Sequence, residues 1–310
     1  MGCSPLLSTR LTAGYPGRPD VLQEASLEIA PGEIVGLVGE SGSGKSTMAL
    51  AILRLIQFRG GAVKGYVRFG DRDLLDASEK EMRRIRGRDI GLVLQSPIAS
   101  LNPAMRIGDQ IHESWRAHKE EYSCQFTASD AIKLLERVSL AADEPFLRRY
   151  PRQLSVGQAQ RVLIAMAIVH QPRLLIADEP TSALDAVTQS EILHLFSRLS
   201  REMAMGILFI SHDLLSVSSI CSRVAILSAG RIAEFDSTEA IFRRPKHAYT
   251  RTLIAAIPKL PAALSASRLH RYGAPRDAVT AFGEAAEDDP GFVPIPELET
   301  AEMSAGRQRI

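Results

Sequence analysis

The stretch "EIVGLVGESGSGKSTMALAILRLI" (residues 33–56) decides the architecture of this 310-residue chain. Its opening, "EIVGLVG" (33–39), is an apolar run without alternation, the pattern of a strand buried on both faces. After Lys45, apolar residues recur at helical spacing. Between the two lies "GESGSGKS" (39–46), which fits G-x-x-x-x-G-K-[ST] in the strand–turn–helix setting that such a phosphate-binding loop requires. Gly42 and Gly44 let backbone N–H groups wrap a β-phosphate, and the helix start adds a favourable dipole. Lys45 is a compact point charge able to reach β- and γ-phosphates, and Ser46 offers its hydroxyl to Mg2+. The alternative, a glycine-rich turn without ligand, is weakened by the flanking strand and helix.

Three further strand ends supply chemistry. "LLIADEP" (174–180) is a buried strand ending in two acids. Asp178 at its carboxyl end is suited to a magnesium shell, and Glu179 to polarising an attacking water as general base. A solvated acidic turn after a core strand is the bland reading, and the phosphate loop upstream argues against it. "ISHD" (210–213) puts His212 at another strand end; a lone histidine is more often structural, but this position suits a group beside a γ-phosphate. Gln95 ends the strand "DIGLVLQ" (89–95), where its amide oxygen can complete a magnesium shell. Tyr15, in "LTAGYPGRPDVL" (11–22), is either a base-stacking ring or an aromatic in a turn.

Short β-like runs alternating with helical patterns predict an α/β fold with a mainly parallel sheet. "GYVRFG" (65–70) alternates like an antiparallel strand. From about 100 to 170 strand signals vanish and three helical segments follow, as an insertion into the α/β domain. Strands resume at 173–178, 206–211 and 223–230, with a helix near 187–203. After about residue 258 periodicity fades into an Ala-, Pro- and charge-rich tail, expected to be loosely packed. A net charge of +1 gives no support to a nucleic-acid binder working through a basic surface. No apolar run approaches the roughly 20 residues of a membrane helix, so a membrane role is expected only through partners. Three scattered cysteines, Cys3, Cys124 and Cys221, suggest neither a disulfide framework nor a metal site. "MGCSPLL" raises lipidation, but a myristoylation motif wants Ser or Thr where Leu6 stands.

In this order the motifs resemble the nucleotide-binding subunits of ATP-binding cassette (ABC) transporters, over roughly residues 6–256. "GESGSGKST" resembles Walker A (Gly39, Glu40, Ser41, Gly42, Ser43, Gly44, Lys45, Ser46 and Thr47) and "LLIADE" Walker B. "LSVGQAQR" (154–161) is similar to the ABC signature, through Ser155, Gly157 and Gln158. "SALD" (182–185) resembles the D-loop with Asp185, "SHD" the switch histidine, and "VLQSP" (93–97) the Q-loop; Tyr15 matches the adenine-stacking position. The resemblance implies a P-loop NTPase with a RecA-like core, an antiparallel β subdomain and an inserted α-helical subdomain. It implies a nucleotide-binding domain over 1–257, with 258–310 as tail. It also implies a dimer in which the P-loop of one subunit and the signature of the other sandwich ATP and Mg2+.

"QSPIASLNP" (95–103) and "RRPKHAYTRTLIAAIP" (243–258) are similar to stretches of the dipeptide, oligopeptide and nickel importers, with Ala248 where a proline is usual. Expected partners are a second ABC ATPase subunit, two membrane permease subunits and, indirectly, an extracytoplasmic solute-binding protein, with no nucleic acid. The expected location is peripheral, on the cytoplasmic face of the cell inner membrane. With no cysteine after Cys221, the iron–sulfur-type cysteine cluster of many relatives is not expected, and "DPGFVPIPE" (289–297) would make the tail a reduced version. A soluble ABC ATPase acting on ribosomes or DNA would usually carry two cassettes or a long coiled coil. A non-hydrolysing cassette would be expected to lack Glu179 or His212.

Val156 departs from the signature. Ser155 and Gln158 form a capping box, which places Val156 at the first helical position, where valine costs only about 0.5 kcal/mol relative to the best helix formers. The resemblance implies that the Ser155 hydroxyl and the Gly157 amide meet the γ-phosphate, so an added side chain is expected to clash at Gly157 instead.

Overall fold

The computed structural model describes residues 4–119 and 125–257. The expected tail from 258 onward, Cys3 and Cys124 lie outside the described residues. The chain opens with antiparallel strands β1 (Leu7–Tyr15) and β2 (Arg18–Ile29), then β3 (Ile34–Val38) and helix α1 (Lys45–Ile52). After a 3-10 turn come β4 (Ala62–Phe69), β5 (Arg72–Asp73), α2 (Glu79–Ile85) and β6 (Ile90–Val93). The helical block holds α3 (Pro97–Ser100), α4 (Ile107–Arg116), α5 (Ala128–Arg137), α6 (Glu144–Leu147) and α7 (Val156–Ile168). The chain then re-enters the sheet with β7 (Leu174–Asp178), α8 (Ala186–Met203), β8 (Gly206–Ser211), α9 (Leu214–Ile220), β9 (Arg223–Ser228) and β10 (Arg231–Ser237). Helices α10 (Thr238–Arg243) and α11 (Ala248–Ala255) follow.

The main sheet runs β10-β9-β3-β8-β7-β6, parallel except for β10 against β9. Its central strands are apolar up to their carboxyl ends because both faces are covered, and successive side chains enter different layers. On β3, Ile34 and Val38 join the helices' core while Val35 and Leu37 join the other. Leu175 and Ala177 split from Leu174 and Ile176 in the same way on β7, as do Ile207 and Phe209 from Leu208 and Ile210 on β8. One face therefore packs on α4, α5, α7, α8 and α9. The other packs on α1 and the smaller antiparallel sheet, ordered β2-β1-β4-β5.

This layering brings the carboxyl ends of β3, β8 and β7 level, since Val38 pairs with Ser211 and Asp178 with Ile210. The loops that carry the candidate chemistry leave from that edge.

Candidate nucleotide and catalytic site

The loop after β3 is shaped by close packing. A Cβ on Gly39 would lie 2.2 Å from the Leu227 carbonyl oxygen and 2.8 Å from Ser43 Oγ, so only glycine lets the chain turn there. Gly42 (φ +81°) and Gly44 (φ +111°) take left-handed conformations that L side chains rarely adopt, and Gly44 caps α1. Glu40, Ser41 and Ser46 are exposed, whereas Ser43, Lys45 and Thr47 are buried. Lys45 donates from Nζ to the carbonyls of Gly39 (2.8 Å) and Glu40 (2.9 Å). Burial pushes its ammonium below the ordinary lysine pKa, with Glu179 and then Asp178 opposing.

Asp178 is buried at the end of β7. Burial raises its carboxyl above the ordinary range; the Ser46 hydroxyl opposes that shift and the neighbouring Glu179 charge adds to it. Its Oδ1 has no hydrogen-bond partner, and neither has the buried Ser43 Oγ. Buried polar atoms are nearly always satisfied, so an orphan oxygen on a carboxylate beside a phosphate-type loop fits a cation or water ligand at that position.

Glu179 stands in the left-handed region at φ +48°, held there by its N–H to the Ile210 carbonyl (2.9 Å). A non-glycine residue in that conformation is uncommon, and such strain concentrates at functional sites. Gln95 donates from Nε2 to Glu179 Oε2 (2.9 Å), and His212 Nδ1 lies 3.2 Å from the same oxygen. The Gln95 amide thus engages Glu179 through its nitrogen, while its oxygen remains on the exposed side chain. Four strand ends, β3, β6, β7 and β8, converge on one edge.

The signature-like residues assemble elsewhere. Ser155 caps α7 with extended backbone, its Oγ accepting from Gln158 N (3.2 Å) while Gln158 Oε1 accepts from Ser155 N (3.0 Å). Val156 is the first residue of α7 and is 40% exposed, in keeping with the capping-box reading. Gly157 also has a close neighbour within its own chain. A Cβ there would lie 2.7 Å from Thr188 Cγ2 on α8. Thr188 Oγ1 donates to Asp185 Oδ2 (2.7 Å), and Asp185 Oδ1 accepts from Val187 and Thr188 N–H groups, capping α8. The signature and D-loop positions therefore meet each other. Tyr15 is the last residue of β1, half-buried against the core under the antiparallel sheet.

Sequence reasoning did not find the strained φ of Glu179, the role of Thr188, or Tyr249, whose Oη accepts from Glu40 N–H at 3.2 Å. No local pattern links positions 249 and 40.

A glycine-rich loop after the central strand, with an acid pair, a glutamine and a histidine on neighbouring strand ends, defines a P-loop NTPase of the ATP-binding cassette class. The ABC transporter family model matches residues 22–182, and the chain belongs to that family. It is 43% identical over 259 residues to the glutathione import ATP-binding protein GsiA of Salmonella choleraesuis (strain SC-B67), covering 82% of this chain and 41% of that protein. The protein of the same name from Escherichia coli O157:H7 is 43% identical over 247 residues, covering 78% of this chain and 40% of its own length. The chain thus spans about two fifths of the length of these curated relatives. Among solved structures, the dimeric post-hydrolysis state of an ATP-binding cassette bound to ADP and Pi superposes with a TM-score of 0.64 at 28% identity. That match covers 75% of this chain and 98% of the other. A structure of an ATP-binding subunit of an ABC transporter aligns with a TM-score of 0.63 at 24% identity, covering 81% and 98%.

Proposed function

We propose that this chain is the ATP-hydrolysing, energy-coupling subunit of an ABC importer for peptides or related small solutes. One observation carries the catalytic half of the reading. Glu179, in strained backbone, has one carboxylate oxygen gripped by Gln95 and His212 beside the orphan Asp178 Oδ1 and the Lys45 ammonium.

The residues fit a nucleotide with Mg2+. Mg2+ is commonly held by one or two protein oxygens plus phosphates, and Ser46 and Asp178 supply such oxygens. When bound, the ion neutralises charge on the phosphates. Gly42 and Gly44 present backbone N–H groups, and Lys45, with two of its three N–H donors on the Gly39 and Glu40 carbonyls, keeps the third for a phosphate oxygen. Because Gln95 and His212 both engage Oε2, Glu179 Oε1 is the oxygen left to take a proton from an attacking water. Tyr15 is assigned to the base and the residues at 155–158 and Asp185 to the partner's nucleotide.

The import half rests on the relatives. GsiA is a glutathione import ATP-binding protein, and glutathione is a small peptide. The stretches 95–103 and 243–258 point the same way. No described helix is long and apolar enough to cross a membrane; in this reading separate membrane subunits form the path and this chain is peripheral to them.

Turnover of Mg-ATP by the wild-type chain and by Glu179→Gln tests the catalytic assignment. The variant should keep nucleotide binding and lose about 100-fold or more in turnover. Equal turnover removes Glu179 from the role of base. Co-purification with two membrane proteins, and stimulation of turnover by a peptide-loaded binding protein, are the results expected of the importer.

A further inference from the structure

Residues 243–258 stand out in the sequence, and the ATP-site reading assigns them no work. The structure ties them to the phosphate loop. Tyr249, in the first turn of α11, accepts the Glu40 N–H on its Oη at 3.2 Å. That N–H belongs to the peptide unit joining Gly39 to Glu40. The carbonyl of the same unit, Gly39 O, receives the Lys45 ammonium at 2.8 Å. A trans peptide is planar and aims its N–H and C=O to opposite sides. Tyr249 and Lys45 therefore grip one rigid plate from both sides. The plate is also confined edgewise, since a Cβ at Gly39 would run into Leu227 O and Ser43 Oγ.

Tyr249 is itself aimed by a clamp. Glu234, on β10 and 8% exposed, accepts the N–H groups of Lys246 (2.9 Å) and His247 (3.0 Å). His247 Nδ1 then accepts the Tyr249 N–H at 3.2 Å, capping α11. The phenol ring is half-buried against the core of the helical face. A buried carboxylate satisfied by two consecutive backbone donors sets where the helix starts, and the packed ring carries the hydroxyl to Glu40, whose side chain it also meets.

We infer that Tyr249 is a positioning residue for the nucleotide site: its hydroxyl fixes the Gly39–Glu40 peptide, and with it the carbonyl that docks Lys45. Hydrogen bonds at the two ends of one amide also reinforce each other. Without the hydroxyl the Glu40 N–H loses its acceptor, the plate can rock, and the Lys45 ammonium spreads over more positions. The loss falls on binding Mg-ATP, not on the chemical step, which Glu179 serves. This inference rests on residues 39–46 being an ATP site.

The test compares the full-length wild-type chain with Tyr249→Phe, using Lys45→Ala as reference. Mg-ATP dissociation constants, KM, kcat, nucleotide-free unfolding midpoints and amide exchange at Glu40 are measured for each. Tyr249→Phe should weaken Mg-ATP binding and raise KM by about three- to tenfold, the worth of one hydrogen bond, while kcat stays within about twofold. The Glu40 amide should exchange faster in Tyr249→Phe at an unchanged unfolding midpoint, as local loosening requires. An unchanged dissociation constant beside a weakened Lys45→Ala overturns the inference, as does a fall in kcat alone. If Tyr249→Phe lowers the unfolding midpoint, amide exchange decides: acceleration confined to residues around Glu40 supports positioning, and acceleration across β10 and α11 overturns it. Wild-type affinity in Lys45→Ala would instead sink the ATP-site reading, and the Glu40 exchange result would still judge the contact.

Discussion

Val156 sits at the first helical position of α7 with its side chain 40% exposed, and Gly157 beside it touches α8. These two neighbours should answer substitution in opposite ways. Val156→Gly removes an exposed side chain and lowers helix propensity by only a few tenths of a kcal/mol, so turnover should change by less than about tenfold. Gly157→Asp should lose about 100-fold or more, the scale set by misplacing site groups by an ångström. A carboxylate near a helix start is favourable to the helix itself. Within the chain, the contact that would cause the loss is the one a Cβ makes 2.7 Å from Thr188 Cγ2. Thr188 cannot swing away freely, because its hydroxyl is bonded to Asp185. This cause has its own check. Thr188→Ser deletes Cγ2 and keeps the hydroxyl, so it should restore much of the turnover lost in the milder Gly157→Ala. A double-mutant cycle with no coupling would mean that the glycine is required by what binds there and not by α8.

At the scale of elements, the join between the antiparallel sheet and the main sheet runs through Glu33, just before β3. Its carboxylate accepts from Ala30 N–H (2.8 Å) and from the Arg223 guanidinium at 2.7 and 3.0 Å, and Arg223 lies over the Phe235 ring at 4.5 Å. Burial alone would raise the Glu33 carboxyl, but Arg223 and the Ala30 N–H hold it below its ordinary value of 4.5. A depressed carboxylate contributes stability above its unfolded pKa and loses it as pH falls through the folded one. Glu33→Gln should therefore cost about 1–2 kcal/mol near neutral pH, discounted for the partial exposure of Arg223, and progressively less below pH 4.5. Denaturant midpoints of both proteins across pH 3–7 would show the curves converging at the acid end; parallel curves would exclude this ion pair as the cause. Elements of this kind also mark what the sequence could reveal. Strands β3, β7 and β8 were legible because burial on both faces makes them uninterrupted apolar runs. β2 was not, since its 12 residues pair with β1 through register shifts and include Glu24 at φ +48°. α11 reads as a motif and not as a helix because its start is set through His247 by Glu234, 13 residues earlier, and not by its own composition. Site residues at strand ends were readable from strand and loop together. The Glu179 conformation and the Tyr249 contact arise only from tertiary neighbours.

The molecule as a whole carries two half-sites of different make-up. One is the sheet edge where β3, β6, β7 and β8 deliver Lys45, Gln95, Asp178, Glu179 and His212. The other is the meeting of helix starts where Gly157 and Asp185 meet at Thr188, with Ser155 capping α7 two residues before Gly157. The second half-site is bound rigidly to its own chain. One turn beyond Gly157, the buried Arg161 donates to Val138 O (2.8 Å) and to Glu191 of α8 (2.7 Å), so α7 moves with α8. In the dimer proposed above, each edge is completed by the other chain's helix starts, and a defect in one half-site silences the partner's nucleotide. Two defective variants should then complement each other. Lys45→Ala spoils the edge and leaves the helix starts intact, while Gly157→Asp does the reverse. In an equimolar mixture of the two, random pairing makes about half of the dimers mixed, each with one intact composite site of two, so about a quarter of wild-type turnover should return. Turnover no greater than the average of the two variants measured alone would place both half-sites in the service of one chain's nucleotide. A return near one quarter would also mean that Val156, on the helix-start half, acts on ATP held by a neighbouring subunit while leaving this chain's Lys45 and Glu179 untouched.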